Sequence, residues 1–502
     1  MQPDGFGPHV YRRAGAPVFS PAARAEVDDG GKAENRDSCV KEPARPRLFI
    51  DGYNLALDQG TGVATYARNL SFALGRLGFG VGVLYGTRPT HAVDPLIREI
   101  AFFDERVGEA PQWVEVLRRA HRMVTAPFGE RAVRVPITGQ VIATTFRDRL
   151  PHFDEIWNAQ HLFAQAHAYF RVSKAPLTVR APQRPDLMHW TYPVPVHMPR
   201  VRNIYTLHDL VPLRLPFTTL DHKRRYFRLM RHIAKRSPHI VTVSENSRRD
   251  IISLLGVPEE RVTNTWQSVE IPRRLTEAPM QTVRAEVAGS FGLEAGRYWL
   301  FFGAIEPKKN VGRMIQAFLA SGAEGPLVIV GKKAWKSEGE LKLLFDDHVR
   351  FHVQEGQEIR RRHKVMLLDY APFRLLVNLI RGARAVLFPS LYEGFGLPAL
   401  EAMLLGTPVV TSNTASMPEV VGDAALTVDP YDVAALVRAI QAVDGDPELR
   451  ARLAEAGPRR AAQFSPERYA ARLEALYGRL GLRAERRVAA PAPGGALAEA
   501  AE

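Results

Sequence analysis

Short runs of apolar residues alternate with amphipathic stretches along most of this chain. Continuous apolar runs bounded by turn residues predict buried parallel strands. In the first half they fall at Arg47–Asp51, Gly80–Gly86, Pro185–Trp190, Arg202–Asp209 and His239–Val243. In the second they fall at Tyr298–Gly303, Leu327–Gly331, Val349–Val353, Ala385–Phe388, Pro408–Thr411 and Ala425–Val428. Helical spacing predicts helices between them. Val63, Tyr66, Leu70, Ala73 and Leu77 form one apolar stripe, and Val311–Leu319, Tyr370–Arg381 and the basic stretch 221–236 read as others. Ser244 and Ser465-Pro466 carry helix-start chemistry. Alternation of this kind in both halves predicts two doubly wound α/β domains facing a cleft.

The domain reading is 47–275 for an N-terminal Rossmann-like domain and 290–464 for a C-terminal one. Residues 465–483 form a C-terminal helix expected to pack back towards the N-terminal domain, and 271–297 a polar helical linker. Residues 1–46 and 484–502, rich in Pro, Gly, Ala and charge without a period, read as disordered tails. Residues 88–180 mix helical stretches such as Val114–Val124 with basic loops and give no clear pattern.

Composition adds bounds. At 502 residues the chain exceeds one core, and 46% apolar with 24% charged residues is a globular balance. No apolar run approaches the roughly 20 residues that span a bilayer. The start lacks a signal peptide's order, and the single Cys39 has no disulfide partner or metal-ligand pattern. A cytoplasmic location is the expectation. The net charge of +13 calls for an anionic partner or surface. No nucleic-acid-binding signature accompanies it. Arg118, Arg119 and Arg122, with Lys223, Arg224, Arg225, Arg228 and Arg231, form two basic stretches. They read either as solvated helix faces or as a peripheral contact with an anionic inner-membrane surface, where each basic group contributes roughly 1 kcal/mol.

The chemistry concentrates in residues 384–419. There the strand Ala385–Phe388 runs into a loop holding Glu393, Gly394 and Gly396, and Pro398 opens a helix that stops at Gly406. Glu393 lies on the loop and Glu401 one turn into the helix. Between them the amides of Phe395, Gly396 and Leu397 are free to meet an anion. A ligand with a phosphate in its middle and hydroxyls at both ends, such as a nucleotide-sugar, fits that arrangement. A second anion candidate is the turn after Gly303, with Lys308 and Lys309. Gly60-Thr61-Gly62 is either a phosphate-binding turn or a tight turn, because the third glycine of the dinucleotide fingerprint is replaced by Thr65. His189 and His208 fall at strand ends, where a histidine is either structural or part of a site.

LYEGFGLPALEAMLLGTPVV resembles the Glu-x7-Glu signature of retaining family 4 glycosyltransferases with the two-Rossmann GT-B fold. GTGVATYARNL, YTLHDLVPL, VTVSENSRRDI, FFGAIEPKKN and SNTASMPEVVGDAALTVDP match in order, so the resemblance spans about Leu48 to Leu480. The flavour is that of bacterial O-antigen and exopolysaccharide mannosyltransferases. The resemblance implies that Glu401 binds ribose hydroxyls and Glu393 the donor sugar. It implies that Phe395, Gly396 and Leu397 offer amides, and that Lys309, with Lys308 beside it, holds the diphosphate. It gives His208 an active-site role, and Gly60 and Gly62 a place near phosphate and acceptor. It implies transfer of a hexose, best mannose from GDP-mannose, to a glycan or lipid-linked acceptor, with no cofactor and no metal required for the chemistry. Two positions depart from the pattern: Ala304 stands where an Arg is usual, and Gln267-Ser268 where Asn-Gly is. A sugar-nucleotide epimerase and a non-catalytic scaffold subunit are the alternatives on this fold. On the transferase reading, Glu401→Ala and Lys309→Ala each abolish transfer and leave the fold intact.

Overall fold

The computed structural model describes residues 45–56, 62–87, 99–100, 102, 120–137, 150–345, 350–355 and 358–484, with 344–363 described by backbone alone. Two parallel sheets organise them. The first contains β1 Arg47–Asp51, β2 Gly80–Tyr85, β3 Val133–Val135, β4 Glu155–Asn158, β5 Leu187–Trp190, β6 Arg202–Thr206, β7 Ile240–Thr242 and β8 Val262–Asn264. Their order is β8-β7-β6-β5-β1-β2-β4-β3, parallel except for the β3–β4 pair. The second contains β9 Trp299–Phe302, β10 Leu327–Val330, β11 Val365–Leu368, β12 Ala385–Phe388, β13 Val409–Ser412 and β14 Leu426–Val428. Its order is β11-β10-β9-β12-β13-β14, the dinucleotide-fold order with its reversal between β9 and β12.

Six helices matter below: α1 Gly62–Arg76, α2 Lys223–Arg236, α3 Glu245–Leu255, α4 Val311–Ser321, α5 Leu397–Leu404 and α6 Pro466–Arg479. Every residue of β9, β10 and β12 is buried, as expected of strands covered on both faces. Two strand expectations change. The apolar residues near 350 do not join the second sheet. Residues 350–355 pair antiparallel with 358–363 in a separate hairpin, and the third parallel strand is Val365–Leu368. Alternating RFHVQE suits a hairpin, whereas the unbroken VMLL suits a covered strand. Within 88–180, β4 and helix Leu162–Ser173 are structure that the pattern did not show. The linker is not a free spacer either. Helix Met280–Phe291 buries Val283 and Val287, and its Glu286 meets Arg374 and Asn378 of helix Phe373–Gly382.

α6 packs against α1, with Tyr469, Leu473, Leu476 and Tyr477 fully buried. A buried polar chain runs beneath it. Tyr477 Oη meets His189 Nδ1 at 2.7 Å, His189 Nε2 meets Thr206 Oγ1 at 2.8 Å, and Thr206 meets Tyr66 Oη at 2.9 Å. Burial first, then the neighbouring His208 and His239, pulls the His189 pKa down to about 3. His189 is therefore a neutral, structural histidine. Trp266, at φ 53°, carries the chain out of the first sheet with the Arg472 guanidinium 4.4 Å from its ring centroid.

Candidate donor site and facing strand ends

The second sheet's reversal places two loops side by side. The turn Pro307–Lys309 follows β9, and the loop with Glu393 follows β12. Hydrogen bonds lock the two together: Leu391 N–H donates to Lys308 O at 2.8 Å, and Asn310 Nδ2 donates to Pro389 O at 3.1 Å and Pro430 O at 2.7 Å. Asn310 sits at φ 61°, a left-handed conformation that Asn tolerates, and so turns the chain from the lysines into α4.

Lys309 Nζ and Glu393 Oε1 form a 2.6 Å ion pair, with side chains only 12% and 9% exposed. The ammonium also lies 4.9 Å from the Phe388 ring centroid. Burial pushes the Glu393 carboxyl up, but Lys309 and Lys308 outweigh it and hold it below its ordinary range. Burial pulls Lys308 down, but the carboxylates of Glu393, Glu306 and Asp209 outweigh that and raise it. Lys308 pairs with Glu306 at 3.2 Å. Both lysines thus lie against carboxylates.

Glu393 O and Phe395 O both accept from Ser416 Oγ, at 3.0 and 2.9 Å, which fixes the glycine loop. Gly396, at φ 107°, leads into α5; a Cβ there would meet Met417 Sδ at 2.6 Å. Leu397 and Pro398 then open the helix, whose first amides have no intrahelical acceptor. Half-buried Glu401 has no recorded side-chain partner among the described residues, and burial alone raises its pKa to about 7.

The first sheet supplies the opposite wall. Its own reversal lies between β1 and β5, where Asp51 accepts from Thr191 N–H, and Thr191 O faces His208 Nε2 at 2.8 Å. A carbonyl can only accept, so Nε2 carries the proton and Nδ1 is left as an acceptor. Burial keeps His208 neutral, against the smaller opposing effects of Thr191 and Asp209. The Tyr66 ring stands edge-on to it at 4.8 Å. Burial pushes Asp51 up to about 6 against the Thr191 amide.

The two walls touch. A Cβ on Gly394 would lie 2.8 Å from His208 O. Glu419 accepts from Glu245 N–H at 2.8 Å and Asn246 N–H at 3.0 Å, so a carboxylate of the second half caps α3 of the first. Ser244 Oγ takes the next free amide, that of Ser247. Tyr392 Oη donates to Asp250 and accepts from Asn246 Nδ2 at 2.8 Å.

Lys308, Lys309, Glu393, Gly394, Phe395, Gly396, Leu397 and Glu401 are therefore gathered by one sheet reversal, and His208 abuts Gly394 from the other sheet. Gly62 opens α1 and a Cβ on it would meet Leu397 Cδ1 at 3.4 Å; Gly60 and Thr61 lie outside the described residues. Arg118 and Arg119 also lie outside them. Of the two departures, Ala304 is exposed at the turn, while Gln267 and Ser268 are buried and Ser268 O accepts from Asn69 Nδ2 at 2.8 Å. Sequence reasoning missed Asp51, Thr191, Tyr392 and Glu419. Asp51 could have been found as a lone carboxylate closing an apolar strand; the others are set by tertiary contact.

Two Rossmann-like sheets with facing strand ends, and a cation and carboxylate pair at a reversal, define a GT-B scaffold of the nucleotide-sugar transferase class. The Glycosyltransferase Family 4 model matches residues 140–264, and the model for Glycosyl transferases group 1 matches 291–460. O-antigen chain mannosyltransferase B of Escherichia coli is 34% identical over 274 residues, 53% of this chain and 67% of that one. O-antigen chain mannosyltransferase RfbU of Salmonella typhimurium is 27% identical over 259 residues, 51% of this chain and 65% of that one. This chain thus spans about two thirds of the length of these two relatives. Sucrose-phosphate synthase of Thermosynechococcus elongatus superposes with a TM-score of 0.55 at 17% identity, covering 87% of this chain and 99% of that one. The chain belongs to the family 4, group 1 glycosyltransferases. Among the described residues no helix is long and apolar enough to cross a membrane.

The buried ion pair revises one expectation. Lys309→Ala would not leave the fold untouched, because it strands the Glu393 carboxylate with only Lys308 nearby. Lys309→Met should lower stability by about 3 kcal/mol, and adding Glu393→Gln should recover most of it. A double-mutant cycle in urea checks this, and additive losses would refute the coupling. Glu401 gives a pH signature. Its folded pKa lies above the unfolded value, so the native state holds the proton longer and this residue's contribution to stability falls as pH rises from about 4.3 to 7. The stability advantage of Glu401→Gln over wild type should grow through that window and level off above it. Melting temperatures across the window measure it, and a pH-independent difference would contradict the assignment.

Proposed function

We propose that this glycosyltransferase moves mannose, with retention of configuration, from GDP-mannose to a glycan or lipid-linked acceptor in cell-surface polysaccharide synthesis. The observation that carries the reading is the Lys309–Glu393 pair beside the free amides of α5 and the unpartnered Glu401. Each feature suits one part of a nucleotide-sugar. Glu401, ionised above about pH 7, accepts from ribose hydroxyls. Lys309, Lys308 and the Gly396–Leu397 amides take the diphosphate and stabilise the charge that grows on it as it leaves. Glu393, released from Lys309, accepts from sugar hydroxyls. His208 presents Nδ1 from the facing wall as a neutral acceptor for a donor or acceptor hydroxyl. The acceptor oxygen attacks from the leaving-group face and gives its proton to a phosphate oxygen, so no carboxylate is needed as nucleophile, unlike the paired carboxyls of glycosidases. The mannose assignment is supported by the names of the two O-antigen relatives. Peripheral contact with an anionic membrane is supported by the exposed Arg224, Arg228 and Arg231 on α2.

The test is a panel of GDP-, UDP- and dTDP-sugars, with and without EDTA. GDP-mannose should give the largest thermal shift and donor hydrolysis, and Glu401→Ala should lose both. Product from an added mannan primer should be α-linked by NMR. A β-linked product, or a preference for another base, would overturn the retaining or the GDP-mannose part respectively.

A further inference from the structure

A second basic cavity lies at the other end of the first sheet. It has a volume of roughly 520 Å³ and is lined by Arg131, Arg180, Arg184 and Arg200 with Pro182 and Met198. Residues 180–184 precede β5 and 198–200 precede β6, so the cavity opens at the amino ends of strands whose carboxyl ends carry Thr191 and His208. It is thus a different place from the donor cleft.

Three observations make it more than a solvated face. Arg131 and Arg180 are register partners in a small separate sheet, where strand Glu130–Arg131 runs parallel to Leu177–Arg180, which sets two like charges side by side at a cost. None of the four arginines is paired with a carboxylate among the described residues, and the two nearest acids in sequence are occupied. Glu130 Oε1 accepts from Gln165 Nε2 at 2.7 Å, and Asp186 Oδ2 accepts from Arg47 N–H at 2.7 Å. Arg200 is held at φ 60°, a conformation that non-glycine residues adopt at a cost, and follows buried Met198 and half-buried Pro199 on the cavity wall. All four side chains are exposed, so it is their convergence on one cavity rather than unscreened repulsion that suits an anion, and guanidinium forks match phosphate oxygens in pairs.

We propose that this cavity binds a phosphate-bearing anion, held by Arg131, Arg180, Arg184 and Arg200 independently of the donor cleft. The phosphate is either that of a free molecule or that of a lipid headgroup. The rim bears on the second source: Arg180 Nη1 donates to Phe128 O at 2.6 Å, and the Phe128 side chain is 77% exposed.

The probe is inorganic pyrophosphate, titrated calorimetrically into the full chain carrying Lys309→Met and Glu393→Gln, so that the donor cleft loses its Lys309 contact to a diphosphate. In that background Arg184→Glu/Arg200→Glu should weaken binding about tenfold or more, and Arg184→Gln/Arg200→Gln by less. These side chains are exposed, and circular dichroism checks that the fold is kept. A parallel arm measures cosedimentation with phosphatidylcholine vesicles with and without phosphatidic acid. Arginine-dependent pyrophosphate binding without vesicle binding supports a free phosphate. Arginine-dependent vesicle binding supports a headgroup. Equal binding by wild-type and variant cavities in both arms, or no binding of either probe, overturns the proposal. None of these outcomes depends on the identity of the donor sugar.

Discussion

The ion pair between Lys309 and Glu393 is the constraint to which the second half of the molecule is built. Two opposite charges, each about nine-tenths withdrawn from water, are tolerable only together. Holding them together requires that the turn after β9 and the loop after β12 lie side by side, and strands of that rank are neighbours only where the sheet reverses. Asn310, Leu391 and Ser416 then use their hydrogen bonds to keep the two loops in register. The two loops are therefore complementary to each other. On the proposed reading, a diphosphate and a sugar replace the pair's mutual attraction with one partner each, so binding exchanges contacts rather than burying a naked charge.

The facing half follows the same rule with hydrogen bonds in place of an ion pair. Asp51 and Thr191 meet at its own reversal, and the Thr191 carbonyl sets the His208 tautomer. Contact between the halves is made by capping and packing. Glu419 closes the amino end of α3, and Gly394 lets the donor loop reach the His208 backbone, a fit that any side chain would break. These polar contacts lie beside apolar ones, because α6 buries Tyr469, Leu473, Leu476 and Tyr477 against the first half and the Trp266 ring meets Phe464.

Legibility in the sequence tracked how local the physics was. The glycine loop, Pro398 and Ser244 were readable because turn and capping chemistry is decided within four or five residues. β9, β10 and β12 were readable because covered strands are unbroken apolar runs. β11 was misplaced because VMLL is too short to be told from other apolar runs by pattern alone, and only sheet order settles which run joins the sheet. β4 went unseen because EIWN is half polar: Glu155 points to Arg47 and the Trp157 indole, an environment no neighbour in sequence announces. The ion pair was hidden for the same reason. Lys309 and Glu393 were each singled out, but that each is the other's partner depends on a strand order that no local pattern encodes.

That dependence also explains why the opposite end of the first sheet looks as it does. Parallel strands send every carboxyl end to one edge, and ligands collect there because loops and helix amino ends converge on it. The amino ends have no such convergence, so charge placed there normally finds water or a neighbouring acid. Here a small separate sheet, in which Glu130–Arg131 pairs with Leu177–Arg180, brings Arg131 and Arg180 level beside those amino ends, while the nearest acids are hydrogen-bonded by Gln165 and Arg47. A backbone pairing that forces like charges together, in a protein already carrying a net charge of +13, favours an anionic ligand there over a protein partner group. The donor edge resolves its charge internally by pairing Lys309 with Glu393. The opposite edge leaves its charge to be met from outside.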